Sequence, residues 1–273
     1  MTAPDRYGLI GHPVAHSKSP TIHAAFAAQT GQNLTYERIL APLDGFAATV
    51  LSFIDQGGKG LNVTLPFKLE AHALAHSLTE RGRMAGAVNT LKMTDGHILG
   101  DNTDGVGLVA DIQSNAGVAL KGKRVLLLGA GGAARGAILP ILHADPASLT
   151  IANRSIDKAS ALAQKFAAFG QIDVSAFTAL QGVFDVVVNA TSASLGNELP
   201  PVPASIFIPS TLAYDMMYGN ALTVFLQFAA QQGARTRDGF GMLVEQAAQS
   251  FYVWRGVRPD TANAFPELRA VIK

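Results

Sequence analysis

The chain has 273 residues, enough for two ordinary domains of about 100–200 residues each. Hydrophobic residues make up 48% and charged residues 15%, which supplies buried cores and excludes a disordered chain. A net charge of +1 gives no reason to expect nucleic acid or an anionic membrane as partner, and zero cysteines exclude disulfides, thiolate metal sites and a cysteine nucleophile.

No window holds about 18 uninterrupted apolar residues, and "MTAPDRYGLIGHP" lacks the charged-then-apolar layout of an export signal. A cytoplasmic protein without a membrane partner is expected. His72 and His76 are four apart and could share a helix face, but neither a third ligand nor the glutamate of a zinc-protease pattern accompanies them. No metal is expected.

The first stretches alternate. "RYGLIG" (6–11) reads as a strand, and "SPTIHAAFAAQTG" (19–31) as a helix with a serine cap, proline at its first position and a closing glycine. "LTYERIL" (34–40) is strand-like and "LDGFAATVLSFIDQG" (43–57) is an amphipathic helix. "KGLNVTLPFK" (59–68) is a strand with Leu61, Val63 and Leu65 on one face and Asn62 and Thr64 on the other, ended by Pro66. That polar face is either the wet side of an edge strand or the wall of a site. "PFKLEAHALAHSL" continues as a helix, and two short strands then flank the hairpin turn Asp95–Gly96. This order implies a mainly parallel sheet covered by helices.

After a helix near 103–117, a second α/β unit begins at "RVLLLG" (124–129), a nearly continuous apolar run as in a strand buried on both faces. "SLTIAN" (148–153), "DVVVNAT" (185–191) and "TLAYDMMY" (211–218) follow at spacings that leave room for crossover helices. "ELPPVPASIF" reads as a loop, and "GFGMLVEQAAQSFYVWRG" (239–256) as a long amphipathic helix. No internal repeat is present.

Gly129, Gly131 and Ala134 have the glycine-x-glycine-x-x-glycine/alanine spacing between a buried strand and a helix, with Ala130, Gly132 and Ala133 completing the loop. A pyrophosphate needs a tight turn, close backbone donors and a helix N-terminus, all of which this context supplies. At the end of the next strand an NAD site usually carries Asp or Glu for the ribose 2′-hydroxyl. Here "ANRSIDK" places Asn153, Arg154, Ser155 and Lys158 instead. Two cations and a hydroxyl suit a 2′-phosphate, each charge-assisted bond being worth about 1.5–3 kcal/mol, so NADP is the expected cofactor. The alternative leaves Arg154 and Lys158 as solvated residues opening a helix. Thr191 and Ser192 end a buried strand where loops meet dinucleotides in open sheets.

Together, "GHPVAHSKSPTIHAAF", "KGLNVTLPFK", "GAVNTL", "GDNTDGVG", "GAGGAAR", "NRS", "NATSAS", "YDMMY" and "GFGMLVEQAAQSF" resemble the NADP-dependent shikimate dehydrogenase family over essentially the whole chain. The resemblance implies an α/β protein of two domains across a cleft. Residues 1–104 form a mainly parallel α/β substrate domain, onto which helices of 240–273 fold back, and 105–239 form a doubly wound Rossmann domain for NADP. It implies oxidation and reduction between shikimate and 3-dehydroshikimate, with a role in chorismate and aromatic amino acid biosynthesis. A monomer and a homodimer both stay open.

By the same resemblance, Lys68 and Asp104 are the catalytic pair, and Ser17 and Ser19 hold the substrate carboxylate. Asn62, Thr64, Asn89, Tyr218 and Gln246 complete the polyol contacts. Met216 and Met242 lie beside the nicotinamide, Gly239 is a further cofactor-binding position, and Glu80 is on the cofactor side. Each residue also has a plain structural alternative. Ser17 and Ser19 are good turn and cap residues, Asp104 suits a helix cap, Asn89 a turn, Gln246 an exposed helix face, and the methionines a core. Related quinate/shikimate or aminoshikimate dehydrogenases, and a catalytically silent NADP-binding sensor, remain as alternatives.

Overall fold

Glycine and proline punctuation cuts the chain into short strands and helices that gather into two units. The computed structural model describes residues 3–271. The first unit takes the chain up to Asp104 together with the segment from Val244 onward, and the second is Gly105–Leu243.

In the first unit, β1 (Asp5–Gly11), α1 (Ser19–Thr30), β2 (Leu34–Leu40), α2 (Phe46–Asp55) and β3 (Gly58–Val63) come first. Then follow α3 (Lys68–Leu74), β4 (Ser77–Leu78), α4 (Glu80–Ala85), β5 (Thr90–Thr94) and β6 (His97–Asp101). The sheet order is β2-β1-β3-β5-β6-β4. β1 pairs parallel with β2 and β3, while β5 runs antiparallel to β3 and β6, joined to β6 through Asp95 and Gly96, both at positive φ. The sheet is therefore mixed, and β3 lies inside it. Asn62 does not belong to a wet edge: it is 5% exposed.

Three local readings need correction. The helix expected through "PFKLEAHALAHSL" stops at Leu74, because Ser77 and Leu78 extend to pair with Leu99 and Gly100. The helix expected over 43–57 is confined to Phe46–Asp55, with Gly45 at its N-cap. Ser19 is not the cap of α1; Lys18 holds that position, and the Ser17 hydroxyl accepts the Ser19 amide. The core is built by Ile10, Phe46, Val50, Leu61, Phe67 and Leu91. Burying each such side chain contributes about 1.5–3 kcal/mol.

In the second unit, α5 (Asp104–Ala110) runs into one π-type turn over Asp111–Asn115. Then come β7 (Arg124–Leu128), α6 (Gly132–His143), β8 (Ser148–Ala152), α7 (Ile156–Phe166), β9 (Ile172–Ser175), β10 (Val186–Asn189) and β11 (Leu212–Asp215). α8 (Val224–Gln231) and β12 (Arg235–Arg237) complete this unit; α9 (Phe240–Arg255) starts in it and runs into the first unit, to which α10 (Thr261–Val271) belongs. The sheet is wholly parallel in the order β12-β11-β10-β7-β8-β9. β7 starts the order that reverses around it, and Val125–Leu128 are buried on both faces, as their apolar run requires. "ELPPVPASIF" holds one short 3₁₀ turn, Ala204–Ile206, in an otherwise irregular segment.

The last part of α9 locks onto the first sheet. Trp254 Nε1 donates to Leu91 O at 2.9 Å, and a Cβ on Gly60 would meet that indole nitrogen at 2.4 Å. Glycine is needed there for close approach. Among the described residues no helix is long and apolar enough to cross a membrane.

Candidate active site

β3 ends in Val63, and the chain turns through Pro66 and Phe67 so that Lys68 opens α3. β6 ends in Asp101, and Asp104 opens α5. Those two chain ends bring Lys68 Nζ to 2.6 Å from Asp104 Oδ2, with side chains 29% and 18% exposed. Asp104 is not merely a cap: its other oxygen accepts from Asn89 Nδ2 at 2.8 Å. Asn89 is itself held by Thr103, whose amide donates to Asn89 Oδ1 at 2.8 Å, and its Nδ2 also reaches Gln246 Oε1 at 3.4 Å. Gln246 is half-buried in this cluster, so an exposed helix position does not describe it.

The segment that carries Asp104 is anchored from below. Asp101 is buried and accepts two bonds from Arg81, at 2.7 and 2.6 Å, and one from Thr79 Oγ1 at 2.6 Å. A bidentate guanidinium pair fixes orientation as well as charge. Glu80, next to Arg81, is exposed at the start of α4.

Asn62 lies in a second layer of polar contacts. Its Nδ2 donates to Ser250 Oγ at 2.9 Å and approaches Asn89 O and Thr90 Oγ1 at 3.2 Å, while its Oδ1 accepts from Tyr36 Oη at 2.8 Å. Thr64 is half-buried, and its methyl fills the space beside Gly11, where a Cβ would sit 2.3 Å from it. The hydroxyls of Ser17 and Ser19 are 3.2 Å apart in the turn before α1. The first unit therefore joins Asn62, Asn89, Asp104, Lys68 and Gln246 in one hydrogen-bonded set, while Ser17 and Ser19 bond each other and Thr64 lies beside Gly11.

In the second unit the glycine loop leaves β7 at Gly129, whose φ of 107° is the left-handed side that favours glycine. Added Cβ atoms at Gly131 and Gly132 would meet nothing within 4 Å, and no side chain caps the first turn of α6. Open space over uncapped amides at the start of a twelve-residue helix fits a pyrophosphate. Ala130 and Ala133 flank the same space. At the end of β8, Asn153 Nδ2 donates to Ser155 O at 2.9 Å, shaping a turn that leaves Arg154 and Lys158 exposed. Neither cation has a carboxylate within ion-pair distance among the described residues. This set fits a 2′-phosphate.

Thr191 is half-buried at the end of β10, its Oγ1 donating to Asn189 Oδ1 at 2.7 Å, and Ser192 beside it is exposed. Met216 follows β11, and Gly239 lies so close that a Cβ there would meet Met216 O at 2.1 Å. Met242 donates its amide to Tyr214 Oη at 3.3 Å. Beneath them Asp111 is fully buried, pairing with Arg237 at 2.7 and 2.5 Å and accepting from Tyr214 Oη at 2.8 Å. Burial, with the neighbouring Asp111 charge, holds the Tyr214 hydroxyl well above the usual phenol range. Tyr218 is 41% exposed, edge-on to Phe240.

Sequence reasoning missed Tyr36, Thr90, Thr103, Ser250 and the Asp111–Arg237–Tyr214 group. Ser250 was legible in principle, four residues after Gln246 and so on the same helix face. Thr90 and Thr103 sit inside the quoted "AVNT" and "DNTD" stretches. Tyr36 and Asp111 carried no local signal, because their partners are distant in sequence.

Three family models match. Residues 9–91 match the shikimate dehydrogenase substrate binding domain, 111–196 match shikimate / quinate 5-dehydrogenase, and 239–263 match the shikimate 5′-dehydrogenase C-terminal domain. A shikimate dehydrogenase (NADP(+)) of Janthinobacterium sp. (strain Marseille) is 65% identical, over 98% of this chain and 98% of its own length. Among solved structures, an Ael1 enzyme from Pseudomonas putida is 52% identical with a TM-score of 0.93, covering 97% of this chain and 98% of that one. Shikimate 5-dehydrogenase from Thermus thermophilus, in complex with NADP(H) and shikimate, is 31% identical with a TM-score of 0.84, covering 97% and 99%.

Proposed function

Because this chain belongs to the shikimate dehydrogenase family, we propose that it reversibly reduces 3-dehydroshikimate to shikimate with NADPH, using Lys68 and Asp104 as its acid/base pair. The single observation that carries the site assignment is the 2.6 Å contact between Lys68 Nζ and Asp104 Oδ2, with Asn89 holding the second carboxylate oxygen.

The first unit supplies the substrate side. Ser17 and Ser19 donate to the carboxylate, and Asn62, Thr64, Asn89, Gln246 and Tyr218 are the residues that pair with the ring hydroxyls. A site that pairs each hydroxyl leaves buried polar groups unmet by an analogue lacking one, which gives specificity. The second unit supplies the cofactor side. The Gly129–Ala133 loop and α6 hold the pyrophosphate. Asn153, Arg154, Ser155 and Lys158 hold the 2′-phosphate, with Thr191, Ser192, Met216, Gly239 and Met242 further along the dinucleotide. Glu80, exposed at the start of α4, is the remaining cofactor-side residue of this reading.

When bound, NADPH supplies the hydride. Lys68 is the proton donor to the carbonyl oxygen that becomes the shikimate hydroxyl, and solvent returns its proton. Each Asp104 oxygen accepts one protein bond and keeps a lone pair for a substrate hydroxyl, so the carboxylate orients both the lysine and the ring.

The test is NADPH formation from shikimate and NADP⁺ by the purified chain, run beside quinate and beside NAD⁺. Rapid turnover with shikimate and NADP⁺ alone is expected. Preference for quinate or NAD⁺ would move the substrate or cofactor while leaving the Lys68–Asp104 pair in place. No turnover with any pair would refute the assignment.

A further inference from the structure

The face of β2 that carries Tyr36 and Arg38 touches the serine turn at two points. Arg38 donates to Ser17 O from Nε at 3.1 Å and from Nη2 at 2.6 Å. Tyr36, two residues earlier and so on the same face, has its hydroxyl beside the Ser19 side chain. Its hydroxyl donates to Asn62 Oδ1 at 2.8 Å. The phenol thus bonds Asn62, from β3, while lying beside Ser19, from the turn before α1. Its ring stacks on His23 at 4.2 Å and 7°, and His23 is 1% exposed. Burial keeps the phenol protonated far above neutral pH, so this donor is constant.

We infer that Tyr36 and Arg38 are positioning residues that set the Ser17–Ser19 turn against Asn62, and so fix the distance between the carboxylate and hydroxyl subsites for a small hydroxylated ring acid. This rests on the substrate reading above. Neither side chain needs to touch the substrate. Ser17 and Ser19 close the turn between β1 and α1, where their hydroxyls bond each other and the Ser17 amide donates to Val14 O at 3.0 Å. β2 adds a hold from outside the turn: a fork on the Ser17 carbonyl, and a phenol that ties to Asn62 beside Ser19. A rigid ring senses an error in the spacing of its two ends, whereas the nicotinamide cofactor does not.

The experiment compares wild-type chain with Tyr36→Phe, Arg38→Gln and Arg38→Lys. Shikimate oxidation kinetics, NADP⁺ affinity from fluorescence titration and Tm are read for each. Tyr36→Phe keeps the ring and its stack on His23 and removes one hydroxyl. The expected result is a shikimate KM raised about three- to tenfold, as for loss of one or two neutral hydrogen bonds. kcat should stay within about twofold and NADP⁺ affinity should be unchanged. Arg38→Lys keeps the charge but loses the fork, so it is expected to follow Arg38→Gln rather than wild type. Unchanged shikimate KM in Tyr36→Phe and Arg38→Gln, with wild-type turnover normal, would overturn this inference alone. A lowered Tm with wild-type KM would also overturn it, since that is a structural role. No shikimate turnover by the wild-type chain would instead overturn the functional reading, and this inference with it.

Discussion

The proposed substrate groups of the first unit and the proposed cofactor groups of the second are built on opposite principles. In the first unit the recognition groups are side chains that hold one another: Lys68 on Asp104, Asp104 on Asn89, Asn89 on Thr103 and Gln246, Asn62 on Tyr36 and Ser250. In the second unit the recognition groups are bare backbone over open space at Gly131 and Gly132, with exposed cations at Arg154 and Lys158. The difference follows from the ligands. A small ring with several hydroxyls is read by side chains whose rotamers are already fixed, because any freedom left would cost affinity. A pyrophosphate is read by amides and a helix end that any tight glycine turn presents, and its charge tolerates solvated partners.

The comparison makes predictions of decreasing size. Lys68→Ala removes the proton donor from the closed half; kcat for shikimate oxidation is expected to fall about 10²- to 10⁴-fold. NADP⁺ affinity, read by fluorescence titration, should be untouched. A parallel loss of cofactor binding would mean the two halves are not separable as drawn. In the open half, Arg154→Ala is expected to weaken NADP⁺ about 10- to 150-fold, the equivalent of one charge-assisted bond, and to leave NAD⁺ unchanged. Equal loss for both cofactors, measured by the same titration, would place Arg154 away from the 2′-phosphate.

Two glycine variants sharpen the contrast between open and filled space. At Gly241 a Cβ would lie 1.8 Å from Asp111 Oδ1, so Gly241→Ala is expected to cost about 1–3 kcal/mol of stability in thermal or urea unfolding. Gly131 sits at φ −83° with nothing within 4 Å, so Gly131→Ala should leave the unfolding midpoint near wild type while weakening NADP⁺ binding. A large loss of stability there would show that the loop is packed rather than open.

The closed half also carries a pH signature. Burial depresses His23 to about 3, the nearby Asn62 amide offsetting this only in part, and neither ring nitrogen meets a partner in hydrogen-bonding geometry. In the unfolded chain the same ring titrates near its ordinary value of about 6.5. Below that value the unfolded state binds a proton that the native state refuses, so stability falls as the pH drops from about 6.5 toward 3 and is unaffected above. At pH 5.5 the expected loss is about 1.4 kcal/mol. His23→Phe should remove this contribution from the pH dependence of urea unfolding. An identical acid limb in that variant would assign the loss elsewhere.

Much of this was written in the local sequence, for reasons of range. Alternation and apolar runs set β1, β2, β3 and β7, because burial on one or both faces is a property of consecutive residues. Asp95–Gly96 set the hairpin, since a two-residue turn with both φ values positive favours that pair. The glycine loop and the absent carboxylate after β8 were equally local. The expected helix through residue 78 failed because β4 exists only where β6 offers it a partner, and two residues carry no period of their own.

The sequence by itself determined the alternating architecture, the dinucleotide loop, its preference for a 2′-phosphate and the residue types available for proton transfer. Tertiary structure alone decided that β3 is interior rather than an edge, and so turned Asn62 from a wet-face residue into a buried hinge between Tyr36 and Ser250. It also decided that Asp104 serves Lys68 and Asn89. The physical reason is the same in each case. A propensity or a period is summed over neighbours along the chain, whereas a buried polar group is satisfied by whatever the packing brings to it, here from as far as 188 residues away.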